Sequence, residues 1–184
     1  MLGDALVGLI QEKKFEDITV QQVLDRAGVS RSTFYAHYTD KNDLFLSDAE
    51  EFFEWMAFHL SRRREPSNRI VPVRELFAHV AEWHKFHAAL VASGKVRDMM
   101  ELAEGYFARG IEQRLGEMPR ASTIAAERRA VVAHTFAGAL ISLLNWWLSH
   151  RSAASPERMD DLFHSWVWAG ISTPRGYRHP ADRG

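Results

Sequence analysis

A chain of 184 residues with a 46% hydrophobic fraction has material for one good-sized domain, or for a small domain joined to a larger one, and its composition is ordinary for a folded soluble chain. Zero cysteines exclude a disulfide framework, thiolate metal sites and cysteine nucleophiles. A formal charge of −1 excludes polyanion binding by net charge, and residues 1–47 carry only five basic side chains against seven acidic ones, so any nucleic-acid contact depends on where the charges sit.

Asp4, Glu12, Lys13 and Lys14 interrupt any apolar run near Met1, so no secretory leader is read there and a cytoplasmic location is expected. Apolar residues recur three and four apart, and no stretch alternates with β-branched enrichment, which predicts an all-α fold. Helices are expected at 2–14, 20–27, 31–37, 41–64, 72–93, 97–117, 123–150 and 156–171.

The second helix opens on Thr19 and Gln22, a capping-box pair, with Ile18 and Val23 as a hydrophobic staple. Val20, Val23, Leu24 and Ala27 form its apolar face, and Gly28 is placed to end it in the left-handed conformation. Ser30 then caps a third helix, with Val29 and Phe34 as its staple. Phe34 and Tyr38, one turn apart, point inward and leave Arg31, Ser32, Thr33, Tyr35 and His37 on the other faces. Two short helices joined by a tight turn read as a helix-turn-helix over about residues 19–38. The polar face suits a DNA groove: arginine grips guanine bidentately, Ser and Thr hydroxyls serve bases or phosphates, and a tyrosine hydroxyl reaches phosphate. Lys41, behind an Asp40 N-cap, is placed to bring an ammonium and a helix N-terminus toward the DNA backbone. Spacing alone leaves open that this face is simply the solvated side of an α-hairpin.

Residues 15–46, FEDITVQQVLDRAGVSRSTFYAHYTDKNDLFL, resemble the N-terminal DNA-binding region of the TetR/AcrR family of bacterial transcriptional regulators, with "ITVQQVLDRAGVS", "STFYAHY" and "DKNDLF" in order and without a gap. The resemblance implies an N-terminal three-helix DNA-binding domain at 1–46 and a helical ligand-binding and dimerisation domain at 47–171. It also implies a homodimer on a palindromic double-stranded operator, acting as a repressor released by a small molecule. Thr19 becomes a phosphate contact, Arg31, Ser32, Thr33, Tyr35 and His37 the reading helix, and Lys41 a phosphate clamp.

Beyond the head, RRREPSNR at 62–69 reads as a polar linker or loop. Pro72 suits a first helical turn, Gly94 after Ser93 suits a left-handed stop, and Ser155-Pro156-Glu157 is a helix start. The tail at 172–184, with Pro174, Gly176, Pro180 and Gly184, is too poor in apolar residues to order itself. The resemblance implies a ligand cavity, for which Trp83, His84, His87, Tyr106, Phe107 and His134 are the candidates, a set suited to a flat or aromatic molecule with one or two polar groups. His79, His84 and His87, with His134 from another helix, invite a metal reading, but no carboxylate at helical spacing completes such a site. Core or pocket histidines are the preferred account, so no cofactor and no enzyme chemistry are expected. Control by a protein partner in place of a small molecule is the alternative.

Residues 130–148, AVVAHTFAGALISLLNWWL, hold no formal charge, which raises a membrane span. His134, Thr135, Ser142 and Asn145 within the run, and the lack of any second candidate span, count against it. A soluble helix that is apolar nearly all round is buried on several sides. With the amphipathic helix at 156–171 it offers a four-helix dimer interface, expected to use Ala133, Ala137, Gly138, Ile141, Trp146, Met159, Leu162, Phe163 and Trp166.

Overall fold

Capping chemistry fixes the N-terminal helices of the computed structural model, which describes residues 1–92, 95–150 and 154–171, with the backbone alone at 84 and 85. Helix α1 (Leu2–Ile10) buries Ala5, Leu6, Leu9 and Ile10. It ends four residues earlier than expected, because a 3-10 turn at Phe15–Asp17 redirects the chain and drops Phe15 into the core, edge-on to Phe45 at 5.6 Å. Helix α2 (Val20–Ala27) starts on the capping box: Thr19 Oγ1 accepts from the Gln22 amide at 3.3 Å, and Gln22 Oε1 accepts from the Thr19 amide at 3.0 Å. Gly28 closes it at φ 66°, a conformation that any side chain would strain. Helix α3 (Arg31–Tyr35) takes its cap from Ser30, whose hydroxyl accepts from the Thr33 amide at 3.2 Å. Asp40 caps helix α4 (Lys41–Ala57) by accepting from the Asn42 and Asp43 amides. Phe34, Leu44 and Phe45 complete a first apolar core with α1 and α2.

Two long helices expected from periodicity are each broken once. Residues 41–64 divide at Phe58 into α4 and α5 (His59–Arg62), and the turn carries His59 and Leu60 inward. Residues 72–93 divide at Trp83 into α6 (Val73–Glu82) and α7 (His84–Ala92). The break lets α7 leave the second core and seat Leu90 in the first, alongside α1. Helices α8 (Val96–Glu117), α9 (Ala126–His150) and α10 (Pro156–Ile171) follow among the described residues. Phe53, Phe77, Phe107, Ile111, Leu140 and Val167 centre the second core. Gly110 on α8 is where α4 crosses closest: a Cβ there would meet the Ala57 carbonyl oxygen at 2.5 Å. The stop at Ser93 and Gly94 and the tail at 172–184 lie outside the described residues.

The stretch at 62–69 is no loose linker. Arg69 reaches Asp160 at 2.8 Å from the far end of the chain, and also pairs with Glu75 and Glu65. Arg114 donates to the backbone carbonyls of Glu65, Ser67 and Arg69. Trp168 Nε1 donates to the Asn68 carbonyl at 2.6 Å. His164 Nε2 accepts from the Ile70 amide at 3.1 Å, which leaves the proton on Nδ1 to donate to the Asp160 carbonyl at 2.9 Å. A polar strap thus fastens α10 to α6 and α8.

Burial also divides the expected interface residues. Ala133, Ala137, Ile141, Met159 and Phe163 are 8% exposed or less and belong to the chain's own core. In this chain they are spent on internal packing, which leaves them little surface for a second copy. An α9 that is apolar all round gives no sequence signal for which side faces inward, whereas packing on α8 selects these positions. Gly138 and Leu162 are half-buried, and Trp146 and Trp166 are 48% and 57% exposed.

Candidate nucleic-acid interface and ligand cavity

The α2–α3 hairpin presents one polar face. Arg31, Ser32, Thr33, Tyr35 and His37 are all exposed, and Phe34 between them is fully buried, so the helix is anchored by one residue and open on the rest. Phe34 meets Tyr35 edge-on at 5.2 Å and Tyr38 at 5.6 Å, which sets the direction of the Tyr35 ring. Arg31 lies within 3.4 Å of Gln21 Oε1, and Gln21 donates to Asp25 at 2.8 Å. Thr19 is exposed at the head of α2.

Lys41 departs from the expected clamp. Its ammonium donates to the carbonyls of Phe15, Glu16 and Ile18 at 2.6, 2.9 and 2.6 Å, which uses all three of its protons, and it stands 4.9 Å over the Phe15 ring. Burial lowers its pKa, with the nearby Lys95 adding to the effect. Lys95, at the start of α8, approaches the same ring at 5.3 Å. Lys41 therefore ties the start of α4 to the turn before α2, a tie that spans more than twenty positions and leaves no local pattern in the sequence.

The second feature is a cavity of about 780 Å³ between the two cores, open to solvent on one side. Leu6 and Val7 of α1, Phe52 of α4, His79 of α6, His87 of α7 and Phe107 of α8 are among its walls. His79 stacks on Phe52 at 4.5 Å and on Trp83 at 5.9 Å. Burial lowers the pKa of His79 and His87, so both are neutral. Among the described residues His87 Nε2 is buried without a hydrogen-bond partner. Asp48 and Glu51 of α4 and Asp4 of α1 bring carboxylates to the wall.

Residues 3–47 match the family described as bacterial regulatory proteins, tetR family. Over 186 residues the chain is 22% identical to the protein named "Uncharacterized HTH-type transcriptional regulator YxbF" of Bacillus subtilis (strain 168), a match that takes in 95% of this chain and 44% of that relative's length. The chain carries the DNA-binding head of a TetR-family transcriptional regulator. The TetR-like fold extends past that head. A TetR transcriptional regulator from Streptococcus agalactiae 2603V superposes with a TM-score of 0.61 at 22% identity, over 90% of each chain. The dihydroxyacetone kinase operon activator DhaS superposes with a TM-score of 0.62 at 15% identity, over 93% of this chain and 94% of that one.

Of the residues expected to line a cavity, Trp83, His87 and Phe107 do so. His134 does not: it is exposed on the outer side of α9. Tyr106 also lies off the wall, under the Arg109 guanidinium at 4.2 Å. The His84 side chain lies outside the described residues. Missing from the expectation were His79, Phe52, Asp48, Glu51 and the whole α1 wall. One signal was present for α4: Phe45, Asp48 and Phe52 fall on one helical face, which places a carboxylate on an apolar stripe.

Proposed function

We propose that the chain is a homodimeric, ligand-controlled repressor, with its DNA-binding domain in residues 1–46 and its effector and dimerisation domain in residues 47–171. The observation that carries this reading is the shared wall of the cavity: α7 contributes His87 to the cavity and, three residues on, Leu90 to the core of the head. A molecule that reshapes the cavity acts on the seat of the head, and a coupling of about 1–3 kcal/mol is enough for a usable switch.

In this reading Arg31, Ser32, Thr33, Tyr35 and His37 meet the major groove, and Thr19 meets phosphate. The outer sides of α9 and α10, where Trp146, Trp166 and the 63%-exposed Val131 stand clear of the core, pack on a second copy to give four helices and the two-fold symmetry that paired half-sites need. Helix α9 has the length and apolarity of a membrane span, and we assign its outward band to that partner copy and the protein to the cytoplasm.

The test is binding to DNA from the gene's own upstream region at fixed salt. Arg31→Ala with Tyr35→Ala should abolish the preference for that DNA over unrelated sequence while the variant still folds. An unchanged preference would remove these residues from the interface. Sedimentation of Trp146→Glu with Trp166→Glu should report a monomer.

A further inference from the structure

The charged groups on the cavity wall are nearly all of one sign. Asp48, Glu51 and Asp4 line it, and among the described residues no lysine or arginine does. The Met1 ammonium, the one cation at hand, is held by Asp4 at 2.7 Å. Asp48 makes no hydrogen bond or ion pair among the described residues, and burial together with the charge of Glu51 raises its carboxyl above the usual range. The histidines add no compensating charge, since burial keeps His79 and His87 neutral. Beside the carboxylates the wall is aromatic, with Phe52, one turn on from Asp48, His79 and Trp83 stacked in sequence and Phe86 edge-on to Trp83 at 6.5 Å.

An apolar chamber whose acids outnumber its cations, with the Met1 ammonium bound to Asp4 and only partly offsetting Asp48, favours an organic cation twice over: aromatic faces attract positive charge, and a half-buried carboxylate without a direct ion pair gains from one. It repels anions for the same reasons. We propose that this cavity takes a lipophilic cation, an aromatic amine or quaternary onium ion, with its rings among Phe52, His79 and Trp83 and its charge facing Asp48 and Glu51. His87 Nε2 supplies one further polar contact, as donor or acceptor according to its tautomer. The inference names the effector class for the repressor reading above and rests on it for its biological meaning, though not for the binding itself.

Tetraphenylphosphonium and tetraphenylborate share one shape and carry opposite charge. Titrated calorimetrically into the full chain at fixed salt, the phosphonium should bind and the borate should bind at least about tenfold more weakly. Asp48→Asn with Glu51→Gln should narrow that gap by about tenfold, through loss of phosphonium affinity. Equal or tighter borate binding, or no phosphonium binding, overturns the proposal; this comparison needs only the unaltered protein, so it survives a variant that fails to fold. An unchanged gap in a folded double variant overturns it as well. Phosphonium that binds without altering affinity for the upstream DNA upholds the ligand class and sinks the effector reading, so the two fail separately.

Discussion

Arg69 and Asp48 are both withdrawn from water, and their surroundings are opposite. Arg69 has carboxylates on several sides, two of them, Glu75 and Asp160, held down to about 2, and each of those acids is answered by the guanidinium. Asp48 sits among apolar and aromatic walls with another acid near it and has its carboxyl pushed up. Buried charge that is fully partnered fixes elements in place, here α10 against α6. Buried charge left unpartnered costs stability and is retained where something else is to supply the partner. The strap is framework, and the cavity is the site proposed for a ligand.

The largest expected effect tests the framework half. Arg69→Met strands Glu75 and Asp160, and urea unfolding should show a loss of about 3–5 kcal/mol; a loss below about 1 kcal/mol would make the strap ornamental. Acid should act on the same place. Glu75 and Asp160 have folded values of about 2 against ordinary values of 4.5 and 3.8, so their stabilisation is present above about pH 4.5 and drains away as pH falls toward 2. Asp48 has the reverse sign: its folded value is raised, so acidification through that value favours the folded state. Urea midpoints measured on the way down in pH should therefore fall more steeply in Asp48→Asn than in the parent.

Lys41 belongs with the strap by the same criterion, and an intermediate effect is expected of it. Lys41→Met takes the ammonium from the carbonyls of Phe15, Glu16 and Ile18, of which Phe15 keeps the Ile18 amide, and should lower stability by about 1–3 kcal/mol. A phosphate clamp would behave differently, with stability intact and the salt slope of DNA binding reduced by about one. Smallest of all, Asp48→Asn at neutral pH should change stability by about 0 to 1 kcal/mol in the favourable direction, because a half-buried carboxylate retains some water. His87→Phe should likewise raise the melting temperature slightly, since it replaces an unpartnered buried nitrogen with carbon of similar shape.

What the sequence disclosed follows the range of the interactions. The head was legible because its determinants are local: Thr19 and Gln22, Gly28, and Ser30 with Thr33 each act within four residues. Arg69 and Asp160 stand 91 positions apart, and no spacing rule joins them. The same holds for Lys41 and the Phe15 turn. Breaks at Phe58 and Trp83 were hidden because the apolar period continues through both, and only tertiary packing decides that α7 turns to the head. The α1 wall of the cavity follows from that turn and was hidden with it. On α9 the difficulty was excess signal, since every face is apolar and Ala133, Ala137 and Ile141 look as available as Trp146.

Under the DNA-binding role proposed above, the inward commitment of Lys41 bears on how a target is found. Arg26 is paired with Glu12 and Arg31 is assigned to the groove, so of the five basic side chains in the head Lys13 and Lys14 are left to meet phosphate. Few phosphate contacts mean weak retention on random sequence, because that retention is almost wholly electrostatic. The genome then acts as a poor trap: the protein spends less time sliding on irrelevant DNA and more in free flight between trials. In the proposed dimer, recognition is left to the fit of one short helix, used twice.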